Sequence, residues 1–262
     1  MMGILLKNTF QNVVDVYDQA RPRYPKELLD DVLQFANKEK FAQGLEIGAG
    51  TGQATDLFLD KIENLDLVEV GESQVAFLKE KYQNKGVRTY QAYFENFASG
   101  KKYDLIFSAT AFHWVDANIG YPKAWDLLEN HGVLAVFWHM SSVTYHDEGI
   151  FVGLDEIKKK YLPTEFSGFD PAGIEGVKAR RISQIQSGGY FSIPTVKEYR
   201  WTDIYDADRY ALLLESYSST QTLDDEKRAA YLAEVRQFIN NNGGSVRMPQ
   251  HVMLYLVKKE EK

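Results

Sequence analysis

Apolar and polar positions alternate in two registers along this chain, and the register changes mark out its elements. Short apolar runs with the look of buried strands occur at GLEIGA (44–49), LDLVEV (65–70), VRTYQA (87–92), YDLIFSA (103–109) and GVLAVFWH (132–139). Between and before them, apolar residues recur every three or four positions near 25–40, 52–61, 72–84 and 119–130, which predicts amphipathic helices. Pro25 suits the first turn of the first of these, because its missing N–H would have no intrahelical partner there. Strands alternating with helices predict an α/β domain: a Rossmann-like, doubly wound, mainly parallel sheet covered by helices on both faces.

The alternation stops after His139. Residues 141–192 mix charged, aromatic and glycine residues without a clear strand, and read as an inserted cap that chooses the substrate. It resumes with TVKEYRWTDI (195–204), a helical YDADRYALLLESYS (205–218), a second helix starting near Thr222 and a last strand VMLYLVKK (252–259). For that second helix, Thr222 with Asp225 three residues on predicts the N-terminal cap, and Gly243–Gly244 the stop. The expected organisation is a cofactor-binding core with an N-terminal lid over 1–140, a cap over 141–192, and completion of the core over 193–262.

Composition narrows the chemistry. The chain has 262 residues, 44% hydrophobic and 26% charged, and contains no cysteine, so disulfides, thiolate metal sites and cysteine nucleophiles are excluded together. The net charge of −7 arises from interspersed Lys and Glu, which gives a nucleic-acid partner little electrostatic support and favours a small molecule. No apolar run approaches the roughly 20 residues of a membrane span, and MMGILLKNTF has too short an apolar core for a secretory signal, so a cytoplasmic location is expected. Among the histidines, His131, His139 and His146 lack a helical i, i+4 partner, so no metal site is expected.

The most informative stretch is LEIGAGTG (45–52), at a predicted strand-to-helix turn. A nicotinamide or flavin site calls for G-x-G-x-x-G, whose last position here holds Gln53; this chain has Gly48, Gly50 and Gly52 instead. Glycines at such a turn let a ligand lie against the backbone and allow positive φ, although a plain tight turn needs the same residues. Glu69 lies 17 residues after Gly52, at the end of the next predicted strand, where a carboxylate can accept both hydrogen bonds of a ribose diol.

Together with YDQARPRYPKELLDDVL (17–33), SATAFHWVD (108–116) and the tail from Thr222, this loop resembles the class I S-adenosylmethionine-dependent methyltransferases, in the type 11 branch that includes trans-aconitate methyltransferase-like proteins. The resemblance implies a seven-stranded sheet, S-adenosylmethionine as cofactor, and methyl transfer to a small molecule such as a carboxylic acid. It implies that Gly48, Ala49, Gly50 and Gly52 meet the methionine part of the cofactor, that Glu69 binds its ribose, and that Val70 lies along the adenine. Phe94 and Glu95 align with the region that reads the adenine edge, and Tyr93 stands where many relatives carry aspartate. Ser108 and Ala109 are expected near the sulfonium, with His113 and Trp114 beside cofactor or substrate. Tyr17, Arg21 and Tyr24 fall in the lid segment, where Arg21 could pair with a carboxylate.

A carboxylate acceptor is already ionised near pH 7 and needs no base, whereas a hydroxyl or amine would lose a proton that His113 or His139 could take. For His113 and Trp114 the alternative is simple packing, and for Arg23 an exposed helix end. The run Lys178, Arg180 and Arg181 reads equally as a solvated face. Two other functions share the loop: a binding protein without methyl transfer, and a nicotinamide-dependent oxidoreductase, which Gln53 disfavours.

Overall fold

The computed structural model describes residue 18 and residues 21–140, 149–162 and 173–260. Tyr17 and His146, singled out above, lie outside them. Seven strands form one sheet in the order β3-β2-β1-β4-β5-β7-β6. They are β1 (Phe41–Ile47), β2 (Ile62–Glu69), β3 (Val87–Gln91), β4 (Tyr103–Ala109), β5 (Leu128–His139), β6 (Thr195–Asp206) and β7 (Ser245–Lys258). The pairs β1–β2, β1–β4, β2–β3 and β4–β5 are parallel, and β5–β7 is antiparallel, with His139 opposite Val252. The expected Rossmann-like, mainly parallel sheet is therefore the fold. Six of the seven residues of β4 are buried, as a strand covered on both faces requires.

Two compact units divide the chain: residues 23–139, 174–199 and 252–262 form one, and residues 1–22, 140–173 and 200–251 the other. In the first, helix α1 (Lys26–Ala36) precedes β1, and helices α2 (Gln53–Phe58), α3 (Glu72–Lys81) and α4 (Ala117–Leu127) lie on the β1–β2, β2–β3 and β4–β5 connections. Pro25, with φ −70°, stands at the cap position just ahead of α1. The core between sheet and helices includes Phe58 stacked on Phe107 at 4.4 Å, with Phe41, Leu45, Leu67 and Phe137 also fully buried. Each such side chain contributes roughly 1.5–3 kcal/mol relative to exposure.

The second unit has its own apolar cluster, built by α5 (Ile150–Tyr161), α7 (Ala207–Glu215) and α9 (Asp225–Asn241), with Tyr205, Tyr231, Val235 and Ile239 at or near zero exposure. Between α7 and α9 runs the one-turn α8 (Ser218–Gln221). The cap of α9 differs from expectation. Asp224 caps it, accepting the Lys227 N–H at 2.8 Å, while the Thr222 hydroxyl turns back to the Ser219 carbonyl. A carboxylate at this end also complements the helix dipole, which a hydroxyl does less well. Gly243 and Gly244 do end α9, both at positive φ, with Gly244 N–H on the Ile239 carbonyl. Residues 141–192, read above as lacking strands, contain α5 and α6 (Gly173–Gln186). Among the described residues no helix is long and apolar enough to cross a membrane.

Candidate functional site

The strand order reverses direction at β1, which lies between β2 and β4, and in open α/β sheets the carboxyl ends beside such a switch point form the ligand crevice. The loop from Gly48 to Gly52 leaves β1 there and enters α2. All three glycines have positive φ, at 71°, 58° and 92°. They are required for different reasons. A Cβ on Gly48 would stand 2.4 Å from the Ala111 methyl, and one on Gly52 would stand 2.2 Å from the Tyr82 hydroxyl, so both are closed in by protein. A Cβ on Gly50 would meet no atom nearer than Gln53 Oε1 at 4.0 Å. Gly50 is where the loop opens outward.

Glu69 ties the loop to the end of β2. One carboxylate oxygen accepts the Gly50 N–H at 2.8 Å; the other accepts those of Val70 at 2.8 Å and Gly71 at 3.0 Å. Burial raises the Glu69 pKa, and the three backbone donors act against that rise. Beneath the loop, Glu46 is 1% exposed and accepts from the Thr55 hydroxyl at 2.5 Å. Burial pushes its carboxyl up to about 8, against the Thr55 hydrogen bond and with help from the Glu69 and Asp56 charges.

From the far side, α3 and the residue after it support the same loop. Lys81 donates to the Thr51 carbonyl at 3.0 Å, and the Tyr82 hydroxyl reaches the Gly52 carbonyl at 3.0 Å and Asp56 at 2.6 Å. Burial, and then the Asp56 carboxylate, hold the Tyr82 phenol protonated well above its ordinary range. Neither residue was picked out in the sequence, where they stand about 30 positions from the glycines and carry no motif.

At the ends of β4 and β5, the Ser108 hydroxyl is fully buried and donates to the Ile47 carbonyl at 2.7 Å, locking β4 to β1; Ala109 is half-buried beyond it. Thr110 follows at φ 53°, a strained conformation for a β-branched residue. Its hydroxyl lies 3.1 Å from the Tyr24 hydroxyl and accepts the His139 N–H at 3.2 Å, and the Tyr24 ring meets Phe137 edge-on at 4.8 Å. Tyr24 is thus brought to the carboxyl ends of β4 and β5, with the His139 ring 4.8 Å away. Arg23 pairs with Asp56 at 3.0 Å.

Phe94 is buried against Phe112 at 6.2 Å, and Lys123 donates to the Glu95 carbonyl at 2.9 Å while the Glu95 carboxylate accepts the Asp116 N–H at 3.4 Å. This holds the turn after β3, with Tyr93 41% exposed beside it. His113 and Trp114 are exposed neighbours with rings 4.9 Å apart, and His113 Nδ1 accepts the Trp138 Nε1–H at 3.1 Å. Arg21 belongs to the second unit. There it donates to Ser216 Oγ at 3.0 Å and lies over the Tyr217 ring at 4.5 Å.

Residues 45–136 match the family described as "Methyltransferase domain". Malonyl-[acyl-carrier protein] O-methyltransferase 2 of Ilyobacter polytropus is 30% identical over 106 residues, 39% of this chain and 41% of that protein. The chain spans about half the length, or less, of the curated relatives it matches. Two solved structures share the fold. One is a candidate type II methyltransferase from Anaeromyxobacter dehalogenans (17% identity, 92% of this chain and 99% of that one, TM-score 0.62). The other is the N-methyltransferase NodS of Bradyrhizobium japonicum in complex with S-adenosyl-L-homocysteine (12% identity, 97% and 100%, TM-score 0.52).

Proposed function

We propose that the chain, whose residues 45–136 match the methyltransferase-domain family, is a class I S-adenosylmethionine-dependent methyltransferase that transfers a methyl group from S-adenosylmethionine to a small-molecule acceptor. The observation that carries this reading is Gly50: positive φ, open space where a side chain would stand, and its N–H on the Glu69 carboxylate of the neighbouring strand. A ligand can lie against that backbone and reach an acidic side chain within the same few ångströms.

When bound, the cofactor supplies an electrophilic methyl on a sulfonium. We assign Gly48, Ala49, Gly50 and Gly52 to its methionine part, Glu69 to the ribose, Val70 and the turn at Phe94 and Glu95 to the adenine, and Ser108, Ala109, His113 and Trp114 to the space beside the sulfonium. Tyr17 and Arg21 are assigned to the lid. Methyl transfer is a displacement, so alignment of an acceptor by this wall supplies much of the catalysis. A carboxylic acid is the favoured acceptor class: it arrives ionised near pH 7, and the Ilyobacter relative is named as an O-methyltransferase. Residues 141–192 are proposed to shape that choice.

Thermal melts in the presence of S-adenosylhomocysteine, NAD or NADP test the cofactor assignment. A ligand that binds the native state alone at 100 times its Kd stabilises by about 2.7 kcal/mol. Stabilisation by S-adenosylhomocysteine and not by the nicotinamides is expected; the reverse pattern rejects the assignment.

A further inference from the structure

The Glu69 carboxylate is largely spoken for by the backbone around it. The Gly50 N–H lies on Oε2 at 2.8 Å, and those of Val70 and Gly71 lie on Oε1 at 2.8 and 3.0 Å. A carboxylate offers about four lone-pair sites, so roughly one remains, whereas a ribose diol brings two O–H donors. One backbone donor has to leave. The longest of the three bonds is that of Gly71, and an acceptor stands beside it. Gly71 is the cap residue of α3, and Gln74 lies three positions on, where a glutamine side chain reaches back to the cap residue's N–H. Here Glu69 holds that donor instead. Gln74 is 6% exposed, and its Oε1 is buried with no hydrogen-bond partner among the described residues, a costly state for an acceptor. Gly71 makes room for it. The φ of −75° at Gly71 suits any residue, yet a Cβ there would stand 2.1 Å from Gln74 Oε1. The glycine serves the amide and not the backbone.

We propose that Gln74 is a positioning residue for the cofactor's ribose: when the diol docks, the Gly71 N–H passes from Glu69 Oε1 to Gln74 Oε1, and the vacated lone pair accepts the second ribose hydroxyl. The inference rests on the assignment of Glu69 to the ribose. Titration calorimetry of the full chain with S-adenosylhomocysteine and with its 2′-deoxyribose analogue reads it, because the analogue brings a single O–H for which the remaining site suffices. Gln74→Met keeps the length of the side chain and removes the acceptor. It is expected to bind S-adenosylhomocysteine about tenfold more weakly than wild type does, the worth of one hydrogen bond, and the analogue within about twofold of wild type. Its ligand-free melting temperature is expected to equal or exceed that of wild type, since the acceptor it lacks has no partner before binding. Equal losses for the two ligands, or unchanged affinity for S-adenosylhomocysteine, overturn the handover and leave the cofactor assignment standing. A lower ligand-free melting temperature also overturns it, because the amide would then already hold the turn. A wild type that binds neither ligand rejects the cofactor assignment itself, and the handover with it.

Discussion

Replacing Gly50 by valine separates the ligand role of the loop from its structural role. A Cβ at this position has 4.0 Å to its nearest neighbour, so the first carbon of the added side chain meets no clash and the expected cost is conformational. An L-residue at φ 58° costs about 1–2 kcal/mol, somewhat more when β-branched. In a chain of this size that lowers the melting temperature by roughly 2–8 °C. Gly52→Ala provides the contrast. Its Cβ would stand 2.2 Å from the Tyr82 hydroxyl and displace it from the Gly52 carbonyl and from Asp56, adding the loss of the one hydrogen bond its proton shares between them, about 1.5–3 kcal/mol for a charged acceptor, to a similar backbone cost. Titration calorimetry with S-adenosylhomocysteine, on samples shown by melting to be folded, is the assay. Gly50→Val should remain folded, melting roughly 2–8 °C below wild type, and show no binding, whereas Gly52→Ala should show the larger loss of stability. Wild-type affinity in folded Gly50→Val would remove the loop from the site, and its failure to fold would mean that the space above Gly50 is not open.

Glu69→Ala should weaken S-adenosylhomocysteine binding by about 1.5–3 kcal/mol, the range for hydrogen bonds to a charged group, and unchanged affinity would mean that the ribose lies elsewhere. Tyr82→Phe removes the hydroxyl that reaches Gly52 and Asp56, so affinity and melting temperature should fall together; a variant equal to wild type in both measurements would show that the loop needs no support from that side. The pH dependence of stability has a defined sign. Native Glu46 keeps its proton up to about pH 8, whereas the unfolded chain releases it near 4.5, so between those values the native state binds the extra proton and stability falls as pH rises, by up to about 1.4 kcal/mol per unit. Denaturation of Glu46→Gln from pH 5 to 9 should show a shallower slope, with Glu69, raised in the same direction, contributing what remains; an identical slope would refute the assignment.

The loop and its acidic partner were legible because their constraints are local or nearly so. Three glycines within five residues, ending a buried run and starting a helical one, state that the backbone must turn sharply at positive φ, and the next strand must end beside it in any right-handed parallel crossover. The strands of the parallel core were visible for the same reason: a strand buried on both faces is a continuous apolar run. What the glycines are closed in by was not visible. Tyr82 against Gly52, Lys81 on Thr51 and Trp138 on His113 are pairings across 25 to 30 residues between side chains that match no pattern, and Arg21 finds Ser216 at a separation of 195. Such partners are chosen by packing, since a buried donor takes whichever acceptor the assembled elements bring within reach. The cap of α9 shows the limit even at short range. Thr222 and Asp224 are both competent caps by composition, and the path of the chain leaving α8 decided between them, turning the Thr222 hydroxyl to the Ser219 carbonyl and leaving Asp224 to meet the Lys227 N–H.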